Sequence, residues 1–320
     1  MKFIGFTMVK NEEDILEQFV RHNLRVLDRL YIFDHGSTDS TMDILRALAS
    51  EGLAVVSVNA ASSTFVGYAQ AEIMSSILQL CIRDNGAGCY FPMDADEFIH
   101  FRSDLSLLKA EIAGNAAQAF NIAYMNMPYP GAHDAALHAD VPKSFNLLGK
   151  WDAQAGQNMK VAVRVDDASL AAHYQVIQGN HQAVFDGHVL AKSKEFDALR
   201  YIHVPVRSSE HAFRKFVTGW LSNVQKYGKD TPHARHWKLA FDLICKEQDY
   251  ARIDCTHLIE GLYHGPAVVG DEFEQVDARP LFHYELQYAH MRQPGLGVIF
   301  RSMEADLDAM AQELARARGG

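Results

Sequence analysis

Cysteine is scarce in this chain: four residues in 320, Cys81, Cys89, Cys245 and Cys255, with no Cys-x-x-Cys pair among them. That weighs against a disulfide framework and against a structural zinc site, and makes a reducing, cytoplasmic setting the simpler one. Basic residues are also in deficit, 30 Lys and Arg against 40 Asp and Glu, for a net charge of −10. Nonspecific nucleic-acid binding rests on phosphate neutralisation and is disfavoured; a single nucleotide needs only a few local cations. Long apolar runs are missing. No stretch reaches the roughly 18 residues of a membrane span, and the apolar start, Met1 to Phe6, is too short for a signal peptide and is soon followed by acidic residues. Peripheral membrane contact and oligomerisation are neither required nor excluded. What remains is a chain of ordinary globular composition, long enough for one large domain or two modest ones.

The first third of the chain alternates. Phe3 to Val9 reads as a buried strand, and Leu30 to Phe33, Leu53 to Val58 and Gly88 to Met93 as three further strands. Between them, Glu13 to Leu27, a segment opened by Ser40 or Thr41 and closed by Gly52, and Ala69 to Ile82 carry helical spacing. Strand and helix taking turns imply parallel strands with crossover helices, an α/β Rossmann-like open sheet. After Phe98 the alternation breaks. Ala119 to Met125, Met159 to Val165 and Leu199 to Val204 are further candidate strands, and Pro128 to Asp140 is a long irregular stretch. From Ser208 the pattern turns helical, through Trp237 to Ile244 and a C-terminal segment, Met303 to Ala317. The expected layout is a catalytic domain over 1–205 with a helical extension over 206–320.

Ligands of such sheets gather beyond the carboxyl ends of the strands, and three polar clusters fall there. The first is Val9-Lys10-Asn11-Glu12-Glu13. The second is Asp34-His35-Gly36-Ser37-Thr38-Asp39-Ser40-Thr41. The third, Asp94-Ala95-Asp96-Glu97, packs three carboxylates into four residues after an apolar run. Adjacent like charges repel, and a hard cation, Mg²⁺ or Mn²⁺, removes the objection by taking carboxylate oxygens together with water and substrate phosphates. Asp34 can accept hydrogen bonds from a base or ribose, while Ser37 to Thr41 also suit plain turn and capping chemistry.

In their order, spacing and strand-end placement these three segments resemble the glycosyltransferase A fold, and within it glycosyltransferase family 2 and its near relatives. The resemblance covers residues 1–100 and is loose beyond. Where the family commonly has two carboxylates, this chain has Asp34-His35. The resemblance implies a nucleoside-diphosphate sugar donor, most often a uridine diphosphate sugar, a hydroxyl acceptor on a glycan, lipid-linked glycan or protein, Mn²⁺ or Mg²⁺ as cofactor, and inversion at the sugar. Carried over, Val9, Lys10, Asn11, Glu12 and Asp34 would line the nucleoside, with Asp94 and Ala95 at the ribose or the metal's water shell. Asp96 would ligate the metal, with Asp94 near it and a His completing the set. His203, in His203-Val204-Pro205-Val206-Arg207-Ser208, and His181 both qualify. Arg207 and Lys215 could meet the diphosphate. Inversion needs a general base, for which Glu97, Asp134 and Asp152 are candidates; Trp151 could stack on a sugar ring. Assembly of a surface polysaccharide or related glycan would fit.

Two other readings stay open at this level. A haloacid dehalogenase-type phosphatase also places Asp-x-Asp after an apolar strand, but leaves the two earlier clusters unexplained. A non-catalytic nucleotide- or sugar-binding module would use the same crevice without turnover.

Overall fold

The computed structural model describes residues 1–58, 70–128, 140–150, 159–192, 198–231, 235–246, 273–282 and 284–293, with isolated residues between 300 and 315. In chain order the elements are β1 (Lys2–Val9), α1 (Leu16–Asn23), β2 (Arg29–Asp34), α2 (Thr41–Ser50), β3 (Val55–Val58), α3 (Gln70–Asn85), β4 (Gly88–Met93), β5 (Glu97–Phe101), α4 (Leu105–Gly114) and β6 (Ala119–Asn126). There follow β7 (Leu147–Gly149), β8 (Lys160–Val165), β9 (Tyr174–Val176), β10 (Ala183–Phe185), β11 (His188–Val189), β12 (Leu199–His203), α5 (Ser209–Tyr227), α6 (Arg235–Lys246) and β13 (Phe273–Gln275).

Among the described residues, eight strands form the main sheet in the order β3-β2-β1-β4-β8-β6-β12-β5. Six run the same way; β8 is antiparallel to both its neighbours and β5 is antiparallel to β12. The architecture is thus the expected Rossmann-like, mostly parallel sheet flanked by helices. β1 and β4 are near-continuous apolar runs because both faces of the sheet are covered. Alternate residues go to opposite cores: Phe3 and Val9 pack with Leu16, Phe19 and Ile44 on one side, Ile4 and Phe6 with Ile73, Ile77 and Leu78 on the other.

The position of the acidic turn follows from chain geometry. β4 and β5 lie four strand spacings apart, about 19 Å in a flat sheet. The chain from Met93 to Glu97 reaches at most about 15 Å over four Cα–Cα steps. The sheet must therefore curl until β5 returns beside the end of β4. The residues that tie this closure are Asp94, Ala95 and Asp96. Pro92 is tolerated because β8 pairs with β4 only at Gly88 to Tyr90, so that side of β4 is unpaired at Pro92.

β5 is an edge strand, and α1 covers its open side. The Asn23 amide donates to Glu97 O at 3.0 Å and accepts from Ile99 N–H at 2.8 Å, while His22 Nε2 lies 2.8 Å from Ile99 O. A helix side chain thus stands in for a neighbouring strand and holds the backbone of Glu97. Asn23→Ala is expected to cost about 2–4 kcal/mol in chemical denaturation, since it leaves two buried main-chain groups unpaired. A loss under about 0.5 kcal/mol would show that water replaces the amide.

The segment after β13 returns to the same core. Phe282 meets Phe98 edge-on at 5.1 Å, and the backbone N–H groups of Gln287 and Tyr288 donate to Glu17 at 2.7 and 3.0 Å. Of the expected helix over 303–317, the described residues 303–305, 307, 308, 311, 312 and 315 are helical, and the others lie outside the described residues. No described helix is long and apolar enough to cross a membrane.

Candidate metal centre

Six strands of the main sheet end at one edge, with Val9, Asp34, Val58, Met93, Asn126 and His203, and the antiparallel β5 and β8 begin there with Glu97 and Lys160. The first two polar clusters are stitched together. Asn11, held at φ 57°, donates its N–H to Ser37 Oγ at 2.8 Å and accepts at Oδ1 from Thr38 N–H at 2.7 Å. Glu12 N–H donates to Thr41 Oγ1, and Ser40 N–H to Glu13 Oε2. Asp34 accepts from the N–H groups of Gly36 and Ser37 at 3.1–3.2 Å, and Gly36 sits at φ +80°, where a glycine is needed. Ser40 occupies the N-cap of α2 without a side-chain cap bond, and Thr41's hydroxyl is taken by Glu12. Asp39 caps instead, accepting from Thr41 N–H at 2.9 Å.

The three carboxylates of the acidic turn have separate partners. Asp94 Oδ2 lies 2.6 Å from Lys160 Nζ, and its Oδ1 accepts from Asn180 Nδ2 at 3.1 Å and Gln70 Nε2 at 3.3 Å. Glu97, fully buried, accepts from Asp94 N–H at 2.9 Å and Tyr124 OH at 3.0 Å, and lies 3.2 Å from Lys160 Nζ. Asp96 differs. Its Oδ2 is 3.4 Å from Lys215 Nζ, but its Oδ1 is buried without a hydrogen-bond partner. That orphan faces His203 Nε2 at 3.7 Å.

Asp96, Glu97 and His203 offer ligand atoms within 4.8 Å of one another, a group that could hold a metal ion. Two atoms each about 2.1 Å from one ion stand about 3.0 Å apart when cis and about 4.2 Å when trans. The 3.7 Å between Asp96 Oδ1 and His203 Nε2 falls inside that range. The donor set, one carboxylate and one imidazole with coordination positions left over, suits Mg²⁺ or Mn²⁺ shared with substrate phosphates. The residues therefore fit the expected ion, with Asp96 and His203 as the open ligands and Glu97 already committed to Lys160, Tyr124 and the turn.

Protonation agrees with ligation. Burial pushes the His203 imidazole down to about 4 against the pull of Asp96, so the ring is neutral at physiological pH. Burial opposes ionisation of Asp96, but Lys215, His203, Arg207 and Lys160 together hold it down at about 2. Burial lifts Glu97 to about 8 against Lys160. Ligands must be deprotonated to bind, and Asp96 and His203 are.

The other expected site residues divide. Val9, Lys10, Asn11, Glu12, Asp34, Asp94 and Ala95 all lie along this edge. Lys215, on α5, reaches both Asp96 and Pro205 O. Arg207 is fully buried, its Nε 2.7 Å from Asp14 and its Nη2 bonded to Glu12, so it braces the first loop against the start of α5. Arg214 helps, donating to Asn11 O. His181 is outside the triad and bonds Met159 O at 3.1 Å. Asp134, Asp152 and Trp151 lie outside the described residues. Sequence reasoning missed Lys160, Tyr124, Asn126, Gln70 and Asn180. For Lys160 a signal existed, a lysine opening the buried strand Val161 to Val165, where an unpaired cation is costly.

No protein-family model matches the chain, and no curated protein matches it. Among solved structures it is similar to TarS (residues 1–349) of S. aureus, at 12% identity and a TM-score of 0.34, covering 73% of this chain and 68% of that one. It is similar to the mannosyltransferase PcManGT of Pyrobaculum calidifontis in complex with GDP-Man and Mn²⁺, at 13% identity and a TM-score of 0.34, covering 99% and 79%. It is also similar to glucosyl-3-phosphoglycerate synthase of Mycobacterium tuberculosis in complex with Mn²⁺, UDP and glucosyl-3-phosphoglycerate, at 17% identity and a TM-score of 0.27, covering 53% and 57%.

Proposed function

We propose that the protein is a metal-dependent, inverting glycosyltransferase of the glycosyltransferase A type, moving a sugar from a nucleoside diphosphate, UDP first among candidates, onto a hydroxyl of a glycan, lipid-linked or protein acceptor. One observation carries the reading: a buried, unpartnered Asp96 Oδ1 stands 3.7 Å from a neutral His203 Nε2, at the strand edge where the Asn11 and Asp34 loops meet.

A divalent ion held by Asp96 and His203 would supply Lewis-acid stabilisation of the charge that builds on the departing diphosphate. The protein's own groups do the rest. Lys215 brings a second positive charge to the same place, 3.4 Å from Asp96. The Asn11–Ser37–Thr38 stitch fixes the loop carrying Asp34, whose carboxylate we assign to the nucleoside. Asp94, held by Lys160, Gln70 and Asn180, orders the wall between the two. Glu97 has both oxygens engaged and no exposed surface, which argues against it as general base. That leaves the role to the other two candidates, Asp134 and Asp152. We take 1–205 as the catalytic unit and 206–320 as an extension that donates Arg207 and Lys215 to it. Buried free thiols at Cys81 and Cys89 suit the cytoplasm.

The phosphatase reading needs Asp94 free as a nucleophile, and both its oxygens are held. The test is thermal: UDP with Mn²⁺, at a hundredfold over its Kd, should raise the Tm by on the order of 5 °C. UDP with a chelator should raise it far less. Equal shifts in the two conditions would remove the bridging ion, and release of sugar from the donor would separate an enzyme from a binding module.

A further inference from the structure

The structure assigns Asn126 as the positioning residue that decides which nitrogen of His203 faces the metal site, with Tyr124 fixing the plane of the ring; the assignment deepens the metal reading above and rests on it. β6 and β12 run parallel in the register Tyr124 beside Tyr201 and Asn126 beside His203. Residues two apart on a strand share a face, so Tyr124 and Asn126 flank the imidazole from one template strand. Asn126 Oδ1 lies 2.8 Å from His203 Nδ1. A side-chain amide oxygen only accepts, so this contact places the ring's proton on Nδ1. A neutral imidazole has one N–H, and Nε2 is left with its lone pair toward Asp96.

The Tyr124 ring stacks on His203 with centroids 4.8 Å apart and planes at 29°. Its hydroxyl is tied to Glu97 Oε1 at 3.0 Å. Turning the imidazole breaks both the stack and the Asn126 bond. Free histidine favours the opposite tautomer, with the proton on Nε2, which cannot ligate through that atom. Asn126 therefore prepares the ligand before any ion arrives, the role that outer partners of metal-bound histidines take generally. Nothing in the acidic turn itself supplies this; it comes from the pairing of β6 with β12.

Long-range ¹H–¹⁵N spectra of the histidine rings in metal-free protein test it, with His203→Gln identifying the signal. Wild type should show His203 protonated at Nδ1. Asn126→Ala should shift the ring toward the Nε2–H form, and Asn126→Asp, which keeps an acceptor, should restore Nδ1–H. In parallel, Mn²⁺ alone, titrated and followed by electron paramagnetic resonance, should bind Asn126→Ala about 10–100-fold more weakly than wild type. An Nε2–H ring in wild type, or an unchanged tautomer in a folded Asn126→Ala, overturns the assignment even where Mn²⁺ binds normally. A tautomer that shifts as expected while Mn²⁺ fails to bind wild type supports Asn126's role and defeats the metal reading instead. The wild-type spectrum decides the matter alone should Asn126→Ala not fold.

Discussion

Asp96→Ala is expected to lower metal-dependent donor turnover by about 10³-fold or more, which corresponds to about 4 kcal/mol of transition-state stabilisation. The reason is local. Asp96 contributes the one buried carboxylate oxygen of the turn that has no protein partner, the atom proposed above as the metal's ligand. Lys215 keeps its bond to Pro205 O at 2.8 Å, and the backbone link from Val204 N–H to Asp96 O at 2.9 Å is untouched. Stability at neutral pH should fall by only about 2 kcal/mol, from the cations that lose Asp96 as their partner. Asp96→Asn, which keeps the shape and loses the charge, should show most of the same loss. Kinetics at saturating Mn²⁺ together with a melting curve separate the two effects. Activity within tenfold of wild type would take Asp96 out of the mechanism.

The largest stability effect is expected at Lys160. Its ammonium is buried between Asp94 at 2.6 Å and Glu97 at 3.2 Å, with 2% of the side chain exposed. Lys160→Met removes one partner of a buried ion cluster, which typically costs about 3–5 kcal/mol. Above about pH 8, where Glu97 is ionised beside Lys160, the variant must either hold an uncompensated Glu97 carboxylate or take up a proton there, and both are unfavourable. In that pH range, combining Lys160→Met with Glu97→Gln should recover more than half of the loss, because the stranded charge goes with it. A coupling of this kind appears only between groups that interact directly. Denaturant titration of the wild type, the two single variants and the double variant measures it. Additive losses would show that Lys160 acts through packing of its stem and not through its charge. Tyr124, whose hydroxyl bonds Glu97, should lose its position in the single variant, so turnover falls as well.

These two residues also mark how far the sequence could be read. Asp96 was visible because three carboxylates at the end of an apolar strand conflict with ordinary packing. β1, β2 and β4 were visible because strands buried on both faces read as apolar runs, and the half-buried β3 by its valines, all punctuated by Gly36, Gly52 and Gly86 in left-handed turns. β5 was hidden: Glu97-Phe98-Ile99-His100-Phe101 does not alternate, and its first residue read as part of the acidic cluster. The short β9, β10 and β11 span two or three residues each and carry no period.

The partners of Lys160, Tyr124 and Asn126 were beyond reach for a different reason. Each of the three is a polar residue in or at the end of a strand, and what brings them to Asp96 and Glu97 is the order β8-β6-β12-β5. That order depends on the curl of the sheet and not on any local pattern. Arg207 shows the converse. A cation after a strand-end histidine looked like a phosphate ligand, yet its buried guanidinium is taken by Glu12 and Asp14. Charge alone does not say which partner wins; only the distance does.

The most direct measurement is anomalous diffraction at the manganese edge from crystals grown with Mn²⁺ and UDP. The expected map has one peak about 2.0–2.3 Å from both Asp96 Oδ1 and His203 Nε2, with the diphosphate completing its shell. Nucleotide bound at the sheet edge with those two side chains turned away, and manganese absent or elsewhere, would contradict it.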